Sequence, residues 1–272
     1  MQHFSITPRE MVASLWRNRS LARALIKREV VGRYRGSVLG ILWSFFNPVF
    51  MLAIYTFFFS VVFKARWHTN SDSKTEFAIV LFAGMLVFNL FAETTNRSPG
   101  LILSNINYVK KVVFPLEILP WISVGSALFH ALVSLGAWLV FYTLIFGVPH
   151  ATALLFPLIV LPLILFTLGL SWFLASLGVY LRDVGQIVGI VTTALMFLTP
   201  IFYQVTSLPA EYQRFLLLNP LTPAVQQARE VLIWGHVPGI GHFVAYFLVS
   251  LFVAWLGFAW FQKTRKGFAD VL

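Results

Sequence analysis

Few residues in this chain could carry out chemistry. Its 272 residues include ten carboxylates, six histidines and no cysteine. Without cysteine there is no disulfide framework, no thiolate metal site and no cysteine nucleophile. The histidines (His3, His68, His130, His150, His236 and His242) show no i, i+4 pairing with one another, so a histidine-pair metal site on a helix is unsupported. Neither a G-x-S-x-G elbow nor a G-x-x-x-x-G-K-S/T loop occurs. Their absence removes the usual serine nucleophile and the usual phosphate cradle. If the protein works with ATP, another subunit must supply the nucleotide site.

The charges that do occur fall at telling places. Glu93 and Arg97 are four residues apart, the spacing of a helix-end ion pair. Arg182-Asp183 is the only charged point between residues 118 and 210. It suits a charged knob turned towards a partner, although any turn at a water-facing membrane surface needs a polar pair, and both readings stand. The stretch Ser104-Asn105-Ile106-Asn107-Tyr108-Val109-Lys110-Lys111 is polar enough to leave a membrane yet carries apolar residues suited to docking. Aromatic residues are abundant, with 28 Phe, 9 Trp and 8 Tyr. Tryptophan and tyrosine belong at membrane interfaces. Phe45-Phe46 and Phe57-Phe58-Phe59 fit that explanation less well, and an aromatic-lined conduit would suit the apolar faces of sugar rings. Packing against lipid or a neighbouring helix would explain them equally.

The elements that must position these residues are transmembrane helices. Apolar and aromatic residues make up 58% of the chain and charged residues 11%, against about a quarter charged in soluble domains. Residues 118 to 181 form 64 consecutive positions without Asp, Glu, Lys or Arg. A span takes roughly 20 apolar residues, so this run holds two spans divided at Gly147-Val148-Pro149-His150. Six spans are predicted, near 38–63, 77–96, 119–146, 152–180, 185–203 and 243–262. Asn47-Pro48 predicts a kink or a re-entrant turn at the start of the first. Basic residues on alternate loops divide 15 against 5, which predicts both termini on the cytoplasmic side. Basic residues recur through the first 35 positions, so no cleavable signal is expected.

Residues 1–36 read as a cytoplasmic amphipathic helix at the membrane interface, and 37–272 as the transmembrane domain. Thr7-Pro8-Arg9-Glu10 fits a capping box with proline at the first helical position. Ala22, Ile26 and Val30 share one face, and Arg19, Arg23 and Lys27 another, as a headgroup-layer helix requires. Charge that merely holds the N-terminus inside would give the same residue counts. The outer segment 204–242 is too apolar for an ordinary loop. Asn219-Pro220 breaks it, and Thr222-Pro223 is predicted to restart a helix with Thr222 as cap. Two short re-entrant helices are the expectation; a folded hairpin on the membrane surface is the alternative.

The order of Arg33-Tyr34-Arg35-Gly36-Ser37-Val38-Leu39-Gly40, Asn47-Pro48, Val179-Tyr180-Leu181-Arg182-Asp183, Leu198-Thr199-Pro200-Ile201-Phe202-Tyr203, Asn219-Pro220-Leu221-Thr222-Pro223 and Gly267-Phe268-Ala269-Asp270 resembles the membrane subunit of type 2 ATP-binding-cassette exporters. Within that family the chain is most similar to permeases for lipid-linked polysaccharides: O-antigen, capsule or teichoic acid. The resemblance covers essentially the whole chain. It implies a homodimer in the bacterial inner membrane, bound to two copies of a cytoplasmic P-loop ATPase that holds the ATP and magnesium, with no cofactor in this chain and no nucleic acid. It places Arg28, Glu29, Asn105, Tyr108, Lys110, Lys111, Arg182 and Asp183 near the ATPase. Tyr55, Phe57, Phe58, Phe197 and Tyr203 would line a channel between protomers. Asn219, Pro220, Thr222 and Pro223 would sit at its periplasmic mouth. An undecaprenyl-linked glycan of O-antigen type is the favoured cargo. An integral-membrane transferase for lipid-linked sugars is the competing class, and it would need a cluster of acidic, histidine or arginine side chains at one membrane face. A passive scaffold subunit is a further possibility and needs no conduit.

Overall fold

The computed structural model describes residues 5–62, 67, 74–110, 114–216 and 218–272. Helix dominates, and the described residues contain no strand. Helix α1 (Pro8–Arg17) opens as its sequence predicts: Thr7 Oγ1 accepts the Glu10 N–H at 3.3 Å and Pro8 takes the first helical position. The reciprocal half of the capping box is replaced by an ion pair from Glu10 to Arg17. The single predicted amphipathic helix is divided at Asn18, whose side-chain amide donates to the Ser14 carbonyl. Helix α2 (Arg19–Tyr34) buries Ala22, Leu25 and Val30 and leaves Arg23 and Lys27 exposed. Ile26 lies so close to Gly125 that any Cβ there would meet it at 2.4 Å. The apolar face of α2 therefore packs on protein rather than on headgroups alone.

Gly40–Leu42 forms a 3₁₀ turn that leads into α3 (Trp43–Tyr55), and a π-helical turn follows over Thr56–Val62. Pro48 lies inside α3, which continues through it. Only Leu52 of α3 is buried; Phe45, Phe46, Phe50, Phe57 and Phe58 are exposed in the single chain. Helix α4 (Lys74–Arg97) is its opposite. From Phe77 to Phe91 every residue but Asn89 is buried, so α4 forms the axis around which the others pack.

After the short α5 (Ile106–Lys110), α6 (Leu119–Phe146) and α7 (Phe156–Tyr180) consume the long uncharged run. They are divided at Gly147 (φ 86°), as predicted. Trp138 is fully buried and donates its indole N–H to the Ile79 carbonyl of α4 at 3.0 Å.

Helix α8 (Val184–Leu198) has 15 residues, or roughly 22 Å at 1.5 Å per residue. That is shorter than the predicted 185–203, because Pro200 forces Thr199 into an extended conformation (ψ 139°). Two short helices follow, α9 (Ala210–Leu216) and α10 (Leu221–Arg229), then a π-helical turn over Glu230–Trp234. Helix α11 (Ile240–Thr264) runs into the tail helix α12 (Phe268–Val271).

Among the described residues, five helical stretches are long and apolar enough to cross a membrane: Gly40–Phe59, Thr75–Gly100, Leu116–Phe146, Ala151–Tyr180 and Ile240–Val271. The closest helix pair is α7 with α11. A Cβ on Gly257 would come within 2.0 Å of the Gly169 carbonyl oxygen, so only hydrogens fit at this crossing.

Candidate functional site

Three surfaces and one half-buried charge cluster hold the residues singled out from sequence. Glu93 sits on α4 beside a cavity of about 490 Å³ between α2, α3, α4 and α6. The predicted Arg97 contact exists at 3.8 Å, but it is the loosest one. Arg33 from α2 makes a closer ion pair, and His130 Nδ1 from α6 lies 2.9 Å from Oε1. Arg97 also pairs with Glu29. Arg33 and His130 were not linked to Glu93 from the sequence because they lie 60 and 37 residues away. The available signal was that His130 and Glu93 each sit alone in an apolar segment.

At the end of the molecule that carries α2 and α5, the Arg28 guanidinium donates to the Tyr108 hydroxyl at 2.9 Å, and the Tyr108 ring stacks on Phe114 at 4.3 Å. Lys110 is exposed. The Asn105 amide is occupied by the Leu101 carbonyl at 2.9 Å. Lys111 lies outside the described residues. Arg182 and Asp183 are exposed in the turn between α7 and α8. Pro99 wedges beneath that turn: its carbonyl oxygen would be 2.1 Å from a Cβ on Gly178. The 97–118 segment and the Arg182-Asp183 turn are therefore neighbours.

Glu117 ties the same end together in a way the sequence does not suggest. It is buried, accepts from Ser14 of α1 at 2.8 Å, and pairs with Arg265 beyond α11 at 2.7 Å. Three chain segments meet at one carboxylate.

The predicted conduit aromatics divide among four places. Tyr55 lines the cavity beside Glu93. Phe57 and Phe58 are exposed and meet edge to face at 5.6 Å. Phe197 ends an open groove of about 890 Å³ along α8 that starts at Arg182 and passes Gln186, Gly189 and Thr193. It also begins a run of stacked rings through Phe202, Phe59 and Phe77, with neighbouring centroids 5.3–5.8 Å apart. Tyr203 instead donates its hydroxyl to the Leu198 carbonyl at 3.1 Å and faces the far end of the molecule.

At that far end α10 is deeply inserted: seven of its nine residues are buried, and it packs between α4 and α7. Helix α9 is largely exposed. The predicted cap differs. Thr222 is not the cap: Pro220 holds that position without a side-chain bond, and Asn219 before it accepts the Leu221 N–H on Oδ1 at 3.0 Å while its Nδ2 donates to Thr199 Oγ1 at 2.9 Å. The helix starts at Leu221 because Asn219 reaches its first free N–H, which places Thr222 and Pro223 inside the first turn.

Arg229, which the sequence reading passed over, anchors this end. It is 4% exposed, and Nε, Nη1 and Nη2 donate to the carbonyls of Val80, Pro200 and Ile201 at 3.1, 2.6 and 2.7 Å. Its guanidinium carbon lies 4.5 Å from the Trp67 ring centroid. One side chain thus joins α10, the start of α4 and the chain just past α8. The sequence signal for it is faint, because Glu230 stands beside it and suggests an ordinary surface ion pair.

Comparison with known proteins places this architecture. Residues 20–233 match the family described as ABC-2 type transporter. The O-antigen export system permease protein RfbA of Myxococcus xanthus is 30% identical over 262 residues, covering 96% of this chain and 98% of that protein. The RfbA permease of Klebsiella pneumoniae is 24% identical over 91% of this chain and 93% of its own length. The polysialic acid transport protein KpsM of Escherichia coli is 25% identical over 85% and 89%. With more than three-quarters of its length inside the family's boundaries and a relative matched end to end, the chain belongs to the ABC-2 type transporters.

Proposed function

We infer that the chain is the permease of a polysaccharide exporter, carrying an undecaprenyl-linked glycan of O-antigen type across the bacterial inner membrane. One observation carries this reading: relatives named for O-antigen export match it over nearly their whole length. Two copies face each other, with the open faces of α3 and α8 lining the passage. The exposed α8 groove supports that placement, since its Gln186, Gly189 and Thr193 would otherwise put polar and small residues against lipid.

A separate ATPase docks where α2, α5 and the Arg182-Asp183 turn lie together. The chain itself has no phosphate loop, so hydrolysis belongs to that partner. Helix α8, continued by Thr199–Tyr203, makes the sixth span; both termini lie inside, and α10 enters the membrane from outside. Deleting the gene in its host and blotting the cell surface for glycan tests the reading. Loss of surface glycan with accumulation of lipid-linked polymer inside is expected; intact surface glycan would overturn it.

A further inference from the structure

A second cavity, of about 720 Å³, lies at the outer end between α10, the π-helical turn and the first turns of α11. Its size falls in the range of about 300–1,000 Å³ typical of small-molecule sites. It is separate from the α8 groove and shares no lining residue with it.

Several of its polar groups find no partner among the described residues. Gln227, 7% exposed, and Thr222, 2% exposed, line the cavity. Their side-chain oxygens have no hydrogen-bond partner among the described residues. Buried amides and hydroxyls are almost always bonded, so such a pair calls for a ligand or water that supplies the missing bonds.

The π-helical turn places Glu230 and Trp234 on the same lining. It is held in position by Thr152, whose hydroxyl donates to the Val231 carbonyl at 2.7 Å. The Trp234 and Tyr203 rings supply flat apolar walls. The ligand's charge is also constrained. Among the described residues Arg229 is the only arginine or lysine on the lining, and it is committed to three carbonyls and the Trp67 ring. The charged group opposite it is the Glu230 carboxylate, which meets His236 at 2.8 Å. A phosphate would find no uncommitted arginine or lysine among the described residues, and an acyl chain would leave the Gln227 amide oxygen unpaired. An uncharged ring with hydroxyls on its edge and C–H groups on its faces would satisfy both walls and amide.

We propose that this cavity is a carbohydrate subsite on the outer side of the permease, holding one or two uncharged sugar units of the glycan as it emerges. The proposal rests on the reading of the chain as a glycan exporter. Gln227 and Thr222 bond the sugar hydroxyls, and Trp234 stacks on a ring face. The site retains the leading sugars outside and so opposes backsliding of the polymer.

A photo-crosslinking experiment on the full permease–ATPase complex, in the host that makes the glycan, tests this. A diazirine-bearing amino acid replaces Gln226 on the cavity rim, cells are irradiated, and permease adducts are identified by mass and by antiserum to the surface glycan. The expected product is a glycan adduct, reduced several-fold by Gln227→Leu and by Thr222→Val at equal permease level in the membrane, and retained by Trp234→Phe. Adducts with phospholipid alone, with a second copy of the chain alone, or a glycan adduct undiminished by both polar variants would each overturn the proposal. Gene deletion separates the two readings. If deletion leaves surface glycan intact, the export reading falls. If deletion removes surface glycan but the probe never captures it, export stands and the subsite falls.

Discussion

Arg229 holds three carbonyls from two other parts of the chain, Val80 on one side and Pro200 and Ile201 on the other. Pro200 and Ile201 lie in the non-helical chain just past α8, where the guanidinium supplies donors to their carbonyls, while Val80 anchors it to the interior of α4. Charge-assisted hydrogen bonds contribute about 1.5–3 kcal/mol each, so Arg229→Leu should cost at least about 3 kcal/mol. Arg229→Lys keeps the charge but loses the planar fork and should fall between. Thermal midpoints of the purified permease should rank native, Lys, Leu in that order. Glu93 is the corresponding junction nearer the other end. Glu93→Gln leaves Arg33 without its carboxylate and loosens α2 from α4. At about 1 kcal/mol for a pair whose arginine is exposed, that opening corresponds to roughly fivefold faster tryptic cleavage after Arg33 or Arg35.

Among the elements, α7 and α11 depend on glycine where their backbones touch. A Cβ on Gly257 would lie 2.0 Å from a backbone oxygen, which cannot rotate away as a side chain could. Gly257→Ala should therefore reach or exceed the upper end of the usual 1–3 kcal/mol or so for overpacking. Gly257→Leu should abolish the monodisperse permease peak on gel filtration. The Arg182-Asp183 turn is a different kind of element, exposed and supported from below by Pro99. If it carries the ATPase stroke, Asp183→Lys leaves permease level and ATP hydrolysis intact while surface glycan falls several-fold. Unchanged surface glycan would reduce the pair to a polar turn.

At the scale of the whole molecule, the exposed apolar faces of α3 and α8 are left uncovered by a single copy. Helix α3 buries one residue, and the α8 face from Gln186 to Phe197 is open. A homodimer closed across these faces accounts for both. Because the chain contains no cysteine, single replacements report directly on that contact. Thr193→Cys should give a disulfide-linked dimer on non-reducing gels, since bridging needs Cα atoms within about 7 Å. Val188→Cys on the buried face of the same helix should not. Equal cross-linking at both positions, or none at Thr193, would refute this dimer.

The sequence by itself determined that the chain lies in a membrane, where four of its spans begin and end to within a few residues, and that Thr7 and Gly147 bound helices. Those features follow from local quantities: charge-free run length, positive φ at glycine, and a cap three residues from its N–H. It also carried the family, through the order of many short motifs. Tertiary structure decided what depends on distant partners. Thr222 lies inside the first turn of α10 rather than capping it, and Asn219 ties the start of that helix to Thr199, twenty residues away. Glu93 gained Arg33 and His130, and Glu117 gained Ser14 and Arg265, through helix packing that no sequence spacing encodes. Above all, Arg229 is one half of an Arg-Glu pair in the sequence and a three-way backbone clasp in the fold. Burial in an apolar interior makes any unpaired donor or acceptor costly, so the fold had to bring those groups together across the chain.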